Sequence, residues 1–199
     1  MHNDISFIID SRLGLYEHQS TYYPNLPLRY LMYIADLYSV ITKDENLYGN
    51  KLVQIPTPHF LIFYNGKDEL PESITLKLSA AFTIKEEEIH LELQATLLNI
   101  NPGHNEELKK ACKTLSDYSE YTYRVREYAK TMDIETAVEN AITECIREGI
   151  LADFLSNNRA EAKKVSIYEY DYEKHMRQER ELVGMMGMRL EKKRCFGNK

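Results

Sequence analysis

The chain has 199 residues, 43% of them hydrophobic and 28% charged, with a formal net charge of -6 at neutral pH. That is enough chain to bury a sizeable core. No run approaches the roughly 18 apolar residues of a membrane-crossing helix, and Met1-His2-Asn3-Asp4 does not begin a basic-then-apolar secretory leader, so a cytoplasmic protein with no membrane partner is expected. Cys112, Cys145 and Cys195 are too few and too scattered for a disulfide framework or a thiolate zinc site and read as small apolar fillers. Residues 1–105 hold 13 Asp and Glu against 7 Lys and Arg, whereas residues 106–199 hold 18 of each. The acidic excess lies in the first half, so composition alone argues against a dedicated nucleic-acid binder.

In chain order, Ile5-Ser6-Phe7-Ile8-Ile9 and Leu13 to Gln19 flank Asp10-Ser11-Arg12 and predict a β-hairpin. In its second strand Leu15, Glu17 and Gln19 share one face and Tyr16 and His18 the other. Pro24-Asn25-Leu26-Pro27 opens a helix carried by Leu28, Leu31, Met32, Ala35 and Tyr38 and ending between Thr42 and Asn46. Pro58 to Tyr64 is a continuous apolar run, as in a strand covered on both faces. A polar connection leads to a fourth strand over Ile89 to Ile100. Texture changes near Asn101-Pro102-Gly103, which divides the chain into an α/β core over 1–104 and a helical region over 105–199. There Asn105 is the expected cap of a first helix. Asp133 caps the next and Gly149 stops it, helical pieces follow around Leu151 to Leu155 and Arg159 to Val165, and Tyr172 to Lys193 is a charged, exposed segment.

The chain contains no phosphate-binding Gly-rich loop, no Gly-x-Ser-x-Gly elbow, no His-Glu-x-x-His pair and no Cys-x-x-Cys. Chemistry is left to Asp4, at the start of the first strand, and Glu17-His18-Gln19 on its hairpin partner. A hairpin brings Asp4 and Glu17 to the same end of adjacent strands. Paired carboxylate oxygens are what Mg²⁺ takes when water and a substrate phosphate fill its other positions. Such an ion activates a water, and a polar group two residues beyond the Glu, here Gln19, orients it. The plain alternative is a Glu and a Gln on a solvated edge strand.

Several runs resemble the PD-(D/E)XK nuclease family transposases related to the recombination-promoting nucleases of bacteria. They are Asn3 to Asp10, Leu15 to Thr21, Asn25 to Arg29, Lys51 to Pro58, Phe63-Tyr64-Asn65-Gly66, Leu98 to Asn101 with Gly103-His104-Asn105, Ala141 to Cys145, and Gly149-Ile150-Leu151 with Phe154-Leu155. The likeness extends to about Glu181. It implies a restriction-endonuclease-like mixed sheet, with Asp4 and Glu17 as metal-binding acids, Gln19 in the place of the motif's Lys, Mg²⁺ or Mn²⁺ as the ion, and DNA as the substrate. Family members carry more chain before the Asn-Asp pair, so an N-terminally truncated and inactive copy is also expected. Gln19 lacks the charge and basicity of a Lys.

Arg29, at the start of the first helix, is a candidate DNA-phosphate contact or a surface salt-bridge partner, and His18 is a candidate helper near the phosphate or a structural side chain. Tyr118, Tyr121, Tyr123 and Tyr128 permit a homodimer. The competing reading from another class is a non-catalytic interaction or self-association module on the same scaffold.

Overall fold

Strands β1 (Ile5–Ile9) and β2 (Arg12–Gln19) form the expected antiparallel hairpin, with Ile5 opposite Tyr16 and Ile9 opposite Arg12. The computed structural model describes residues 5–9, 11–172, 175 and 178. Helix α1 (Leu26–Ile41) follows, with a proline in its first turn, and carries the chain to β3 (Thr57–Tyr64), which lies parallel to β2. β4 (Ser73–Lys77) and β5 (Gln94–Asn99) complete a five-stranded mixed sheet of order β1-β2-β3-β5-β4, with β5 parallel to β3 and antiparallel to β4.

The sheet departs from the expected one in three respects. β4 takes the place of a polar connection: Ser73-Ile74-Thr75-Leu76-Lys77 does alternate, but over five residues only. The fourth expected strand shortens at its start, because β4 gives way after Lys77 to a 3-10 turn over Leu78–Ala81 and no strand lies opposite the residues before Gln94. Ile89 and Leu91 are consequently exposed. β3 is fully buried only at Phe60, Ile62 and Tyr64, while Leu61 and Phe63 on its other face are half-buried. Its apolar run therefore hides an alternation in burial.

Packing divides the chain into residues 1–119 and 120–199, a division that falls inside α3 (Lys113–Tyr128) rather than at the change of texture near residue 104. In the first unit Leu13, Leu15, Ile62 and Leu97 from the sheet meet Leu26, Tyr30 and Tyr33 of α1. Tyr30 stacks obliquely on Phe60 at 4.9 Å and donates its hydroxyl to the Leu61 carbonyl at 2.9 Å. Each such buried Leu or Ile contributes about 2 kcal/mol. That contact fixes α1 against the face of the sheet that carries Leu13, Leu15 and Glu17.

The helical region opens with α2 (Glu106–Ala111), which breaks at Cys112 before α3 begins. Asn105 does not cap α2. It is left-handed (φ 47°), and its side-chain amide donates to the carbonyls of Glu72 at 2.7 Å and Asn99 at 2.8 Å, which tie the strand ends instead. In the second unit Asp133 caps α4 (Ile134–Glu148) through the Thr136 amide, and Gly149, left-handed at φ 77°, ends it. α5 (Ala152–Asn157) and helical backbone over 159–172 complete the described chain. Val125, Val138, Ile142, Cys145 and Leu155 form this unit's core, so Cys145 is the apolar filler expected, whereas Cys112 is exposed. Cys195 and most of the charged segment beyond Tyr172 lie outside the described residues. No helix among the described residues is long and apolar enough to cross a membrane.

Candidate functional site

The parallel ladder sets the site. β2 is an interior strand between β1 and β3, and Leu13, Leu15 and Glu17 follow one another on the face turned to α1. Glu17 is 2% exposed, so the reading of Glu17 and Gln19 as part of a solvated edge is overturned. A carboxylate is costly to bury unless its oxygens are matched, and both are. Gln19, two residues on and on the same face, donates Nε2 to Oε2 at 2.9 Å, and the guanidinium of Arg29, in the first turns of α1, reaches Oε1 at 3.4 Å.

Arg29 is itself held. Its Nε and a terminal nitrogen lie 3.2 and 3.0 Å from the hydroxyl of Tyr33, one helical turn on, which accepts from both. Its side chain keeps 34% of its surface in solvent while its guanidinium reaches a buried acid. Sequence reasoning singled out Arg29 and missed Tyr33. The four-residue spacing of the pair on one helix was the available signal. The Arg29 ion pair expected at the surface is thus half sunk into the core.

His18 points to the opposite face. Its ring meets Tyr118 edge-on at 5.2 Å between centroids, with the Tyr118 hydroxyl 3.3 Å from Nε2. Neighbouring Tyr16 stacks on Phe63 at 6.0 Å on that face. His18 is therefore not beside Glu17, and its surroundings are aromatic. Asp4 lies outside the described residues. The described residue that follows it, Ile5, pairs with Tyr16, the residue before Glu17.

Around the carboxyl ends of β2, β3 and β5 the loops are tied together. The Asn65 amide donates to the Gln19 carbonyl at 3.2 Å and the Ile100 amide to the Tyr64 carbonyl at 2.8 Å. Asn101 donates its side-chain amide to the Gly66 carbonyl at 3.0 Å. Lys109, buried to 6% exposure, reaches the Asn101 carbonyl at 3.2 Å and Glu106 at 2.8 Å. Asn65-Gly66, a turn-forming pair by sequence, needs its glycine for space: a side chain at Gly66 would run into the Ser20 carbonyl and the Tyr64 hydroxyl. The carboxyl ends of parallel strands are where open α/β sheets bind ligands, and here they are rigidly joined.

Glu17 and the amide oxygen of Gln19 are hard oxygen donors of the type Mg²⁺ accepts. Among the described residues no group of three or more His, Cys, Asp or Glu converges to hold a metal. Glu17 and Gln19 alone fall short of a full ligand set among the described residues, and both carboxylate oxygens of Glu17 already accept from Gln19 and Arg29. Comparison with known protein-family models, with curated proteins and with solved structures finds no match to this chain.

Proposed function

We propose that the first unit is a divalent-metal-dependent DNA endonuclease of the transposase-like PD-(D/E)XK class, built on a restriction-endonuclease-like sheet. The observation that carries the reading is a buried glutamate on an interior strand, gripped at its second following position by Gln19 and across α1 by Arg29. Asp4 and Glu17 would hold Mg²⁺ or Mn²⁺, which when bound supplies a more acidic water and neutralises charge on a phosphate. Gln19 fixes the orientation of the Glu17 carboxylate and offers an amide oxygen that positions a water. Arg29 contributes the positive charge that Gln19 lacks, and a guanidinium matches the two-pronged geometry of a phosphate. Arg29, whose guanidinium reaches Oε1 of Glu17, would stand beside an ion held there and meet the phosphate from that position. Two copies of the chain acting together fit a substrate with two strands to cut.

A plasmid-nicking assay with Mg²⁺ and with Mn²⁺ tests this, comparing the chain with Glu17→Ala and with Glu17→Gln at matched circular dichroism. The expected outcome is metal-dependent nicking that falls at least about 100-fold in both variants. Equal nicking by all three proteins, or none by the folded parent, sinks the reading. The second reading, a non-catalytic module, draws on the same ion pair: a carboxylate satisfied at both oxygens is also what a structural core pair looks like. It predicts no metal binding and a lower melting temperature in Glu17→Ala.

A further inference from the structure

β4 closes the sheet on one side and, among the described residues, pairs only with β5. The Asn99 amide donates to the Glu72 carbonyl and the Leu78 amide to the Leu93 carbonyl, each at 2.9 Å, on either side of the registered pairs Ser73 with Leu98 through Lys77 with Gln94. Bonded and non-bonded pairs alternate along an antiparallel ladder. Ile74 and Leu76 therefore turn their N–H and C=O to β5, and Ser73, Thr75 and Lys77 turn theirs to the open side. Those three residues are exposed, and their outward backbone groups have no partner among the described residues.

At the Lys77 end of this strand, in the segment that joins β4 to β5, lies a cleft of about 360 Å³. Phe82, Ile84, Ile89 and Leu91 line it and are all exposed, Ile84 at 75%. Glu86 and Glu88 stand on its rim with Glu87 between them, and none of the three makes an ion pair or hydrogen bond among the described residues. The nearest cation in sequence, Lys85, is turned inward to the carbonyls of Ser79 at 2.8 Å and Ala80 at 3.0 Å. Natural edges are blunted by charge, proline or cover. This one has a single lysine at its end.

We propose that the open edge of β4 and the adjoining cleft dock an extended, basic and apolar peptide segment of a partner protein, which adds a sixth strand to the sheet. Main-chain hydrogen bonds to Thr75 and Lys77 set the register, apolar side chains of the segment that continues past Lys77 enter the cleft, and Lys or Arg meets the glutamates there. The three glutamates at the Lys77 end favour a segment that carries positive charge there. The proposal does not depend on the nuclease reading.

The probe is a fluorescein-labelled nonapeptide alternating valine and lysine, set against one alternating valine and glutamate, with the full chain. The lysine peptide is expected to bind at least about tenfold tighter than the glutamate peptide. Thr75→Pro is expected to weaken that binding by about tenfold or more with an unchanged circular dichroism spectrum, since the lost N–H faces outward and serves no bond in the ladder. Hydrogen exchange on the unaltered chain supplies a readout independent of that variant: the Thr75 and Lys77 amides exchange fast alone and become protected with the lysine peptide. Equal binding of the two peptides, unchanged affinity in Thr75→Pro, or no protection at Thr75 and Lys77 overturns the proposal. So does a concentration-dependent dimer abolished by Thr75→Pro, which would give the edge to a second copy.

Discussion

At the scale of single residues, Glu17 could be picked out from the sequence, and its surroundings could not. Alternation placed Glu17 and Gln19 on one face of β2 and His18 on the other, because a strand's period of two is enforced by its backbone. Burial was hidden, since it depends on β3 and α1 arriving from positions far along the chain. Gly66 makes the same point. A turn was legible in Asn65-Gly66, but the need for glycine comes from the Ser20 carbonyl and the Tyr64 hydroxyl, which occupy the space of a Cβ. Gly66→Ala is expected to destabilise the first unit by about 3 kcal/mol, read as a lower urea midpoint at unchanged slope. A variant as stable as the parent would mean that the loop yields and that the strand ends are less rigidly joined than described.

Among whole elements, the helices with strong end signals were the most legible. Asp133 and Gly149 bound α4 as read, because a cap and a left-handed stop are local chemistry. Asn105 had the same appearance and behaves differently: its amide answers two carbonyls on other elements, and a distant demand outranked the local one. The Thr136 hydroxyl and amide hold the Asp133 carboxyl below the usual carboxylate range. A depressed folded value means that the cap's stabilisation is present above the unfolded value near pH ~4 and is lost as pH falls through the folded one. Asp133→Ala is therefore expected to lower the melting temperature by about 4 °C at pH 7, with the gap to the parent closing in strong acid. A gap that persists unchanged at pH 2 would assign the loss to something other than the charge. The short β4 was missed for the opposite reason: five residues carry too little pattern to outweigh the polar stretch around them, and only its pairing with β5 makes it a strand.

For the molecule as a whole, charge is the main constraint on the proposed activity. A chain at -6 approaches DNA against repulsion, and neutralising Asp4 and Glu17 removes only part of it. Without a divalent ion, DNA affinity is expected to be weak and to vanish between roughly 50 and 200 mM salt, as followed by electrophoretic shift. A shift that survives high salt in the absence of metal counts against the endonuclease reading.

The strand order also has a kinetic side. β5 is the last strand to be synthesised, yet it sits between β3 and β4, and β2 must find β3 across α1 and the loop that follows it. Contacts so far apart in sequence form late. A nascent chain that has emerged only as far as Lys77 has β4 without its partner and β3 with a bare flank. It must wait for Asn99 to leave the ribosome before either is covered. The interval between those two residues is a window for misassociation, and holding it open by a pause in translation would raise the share of chains that depend on a chaperone.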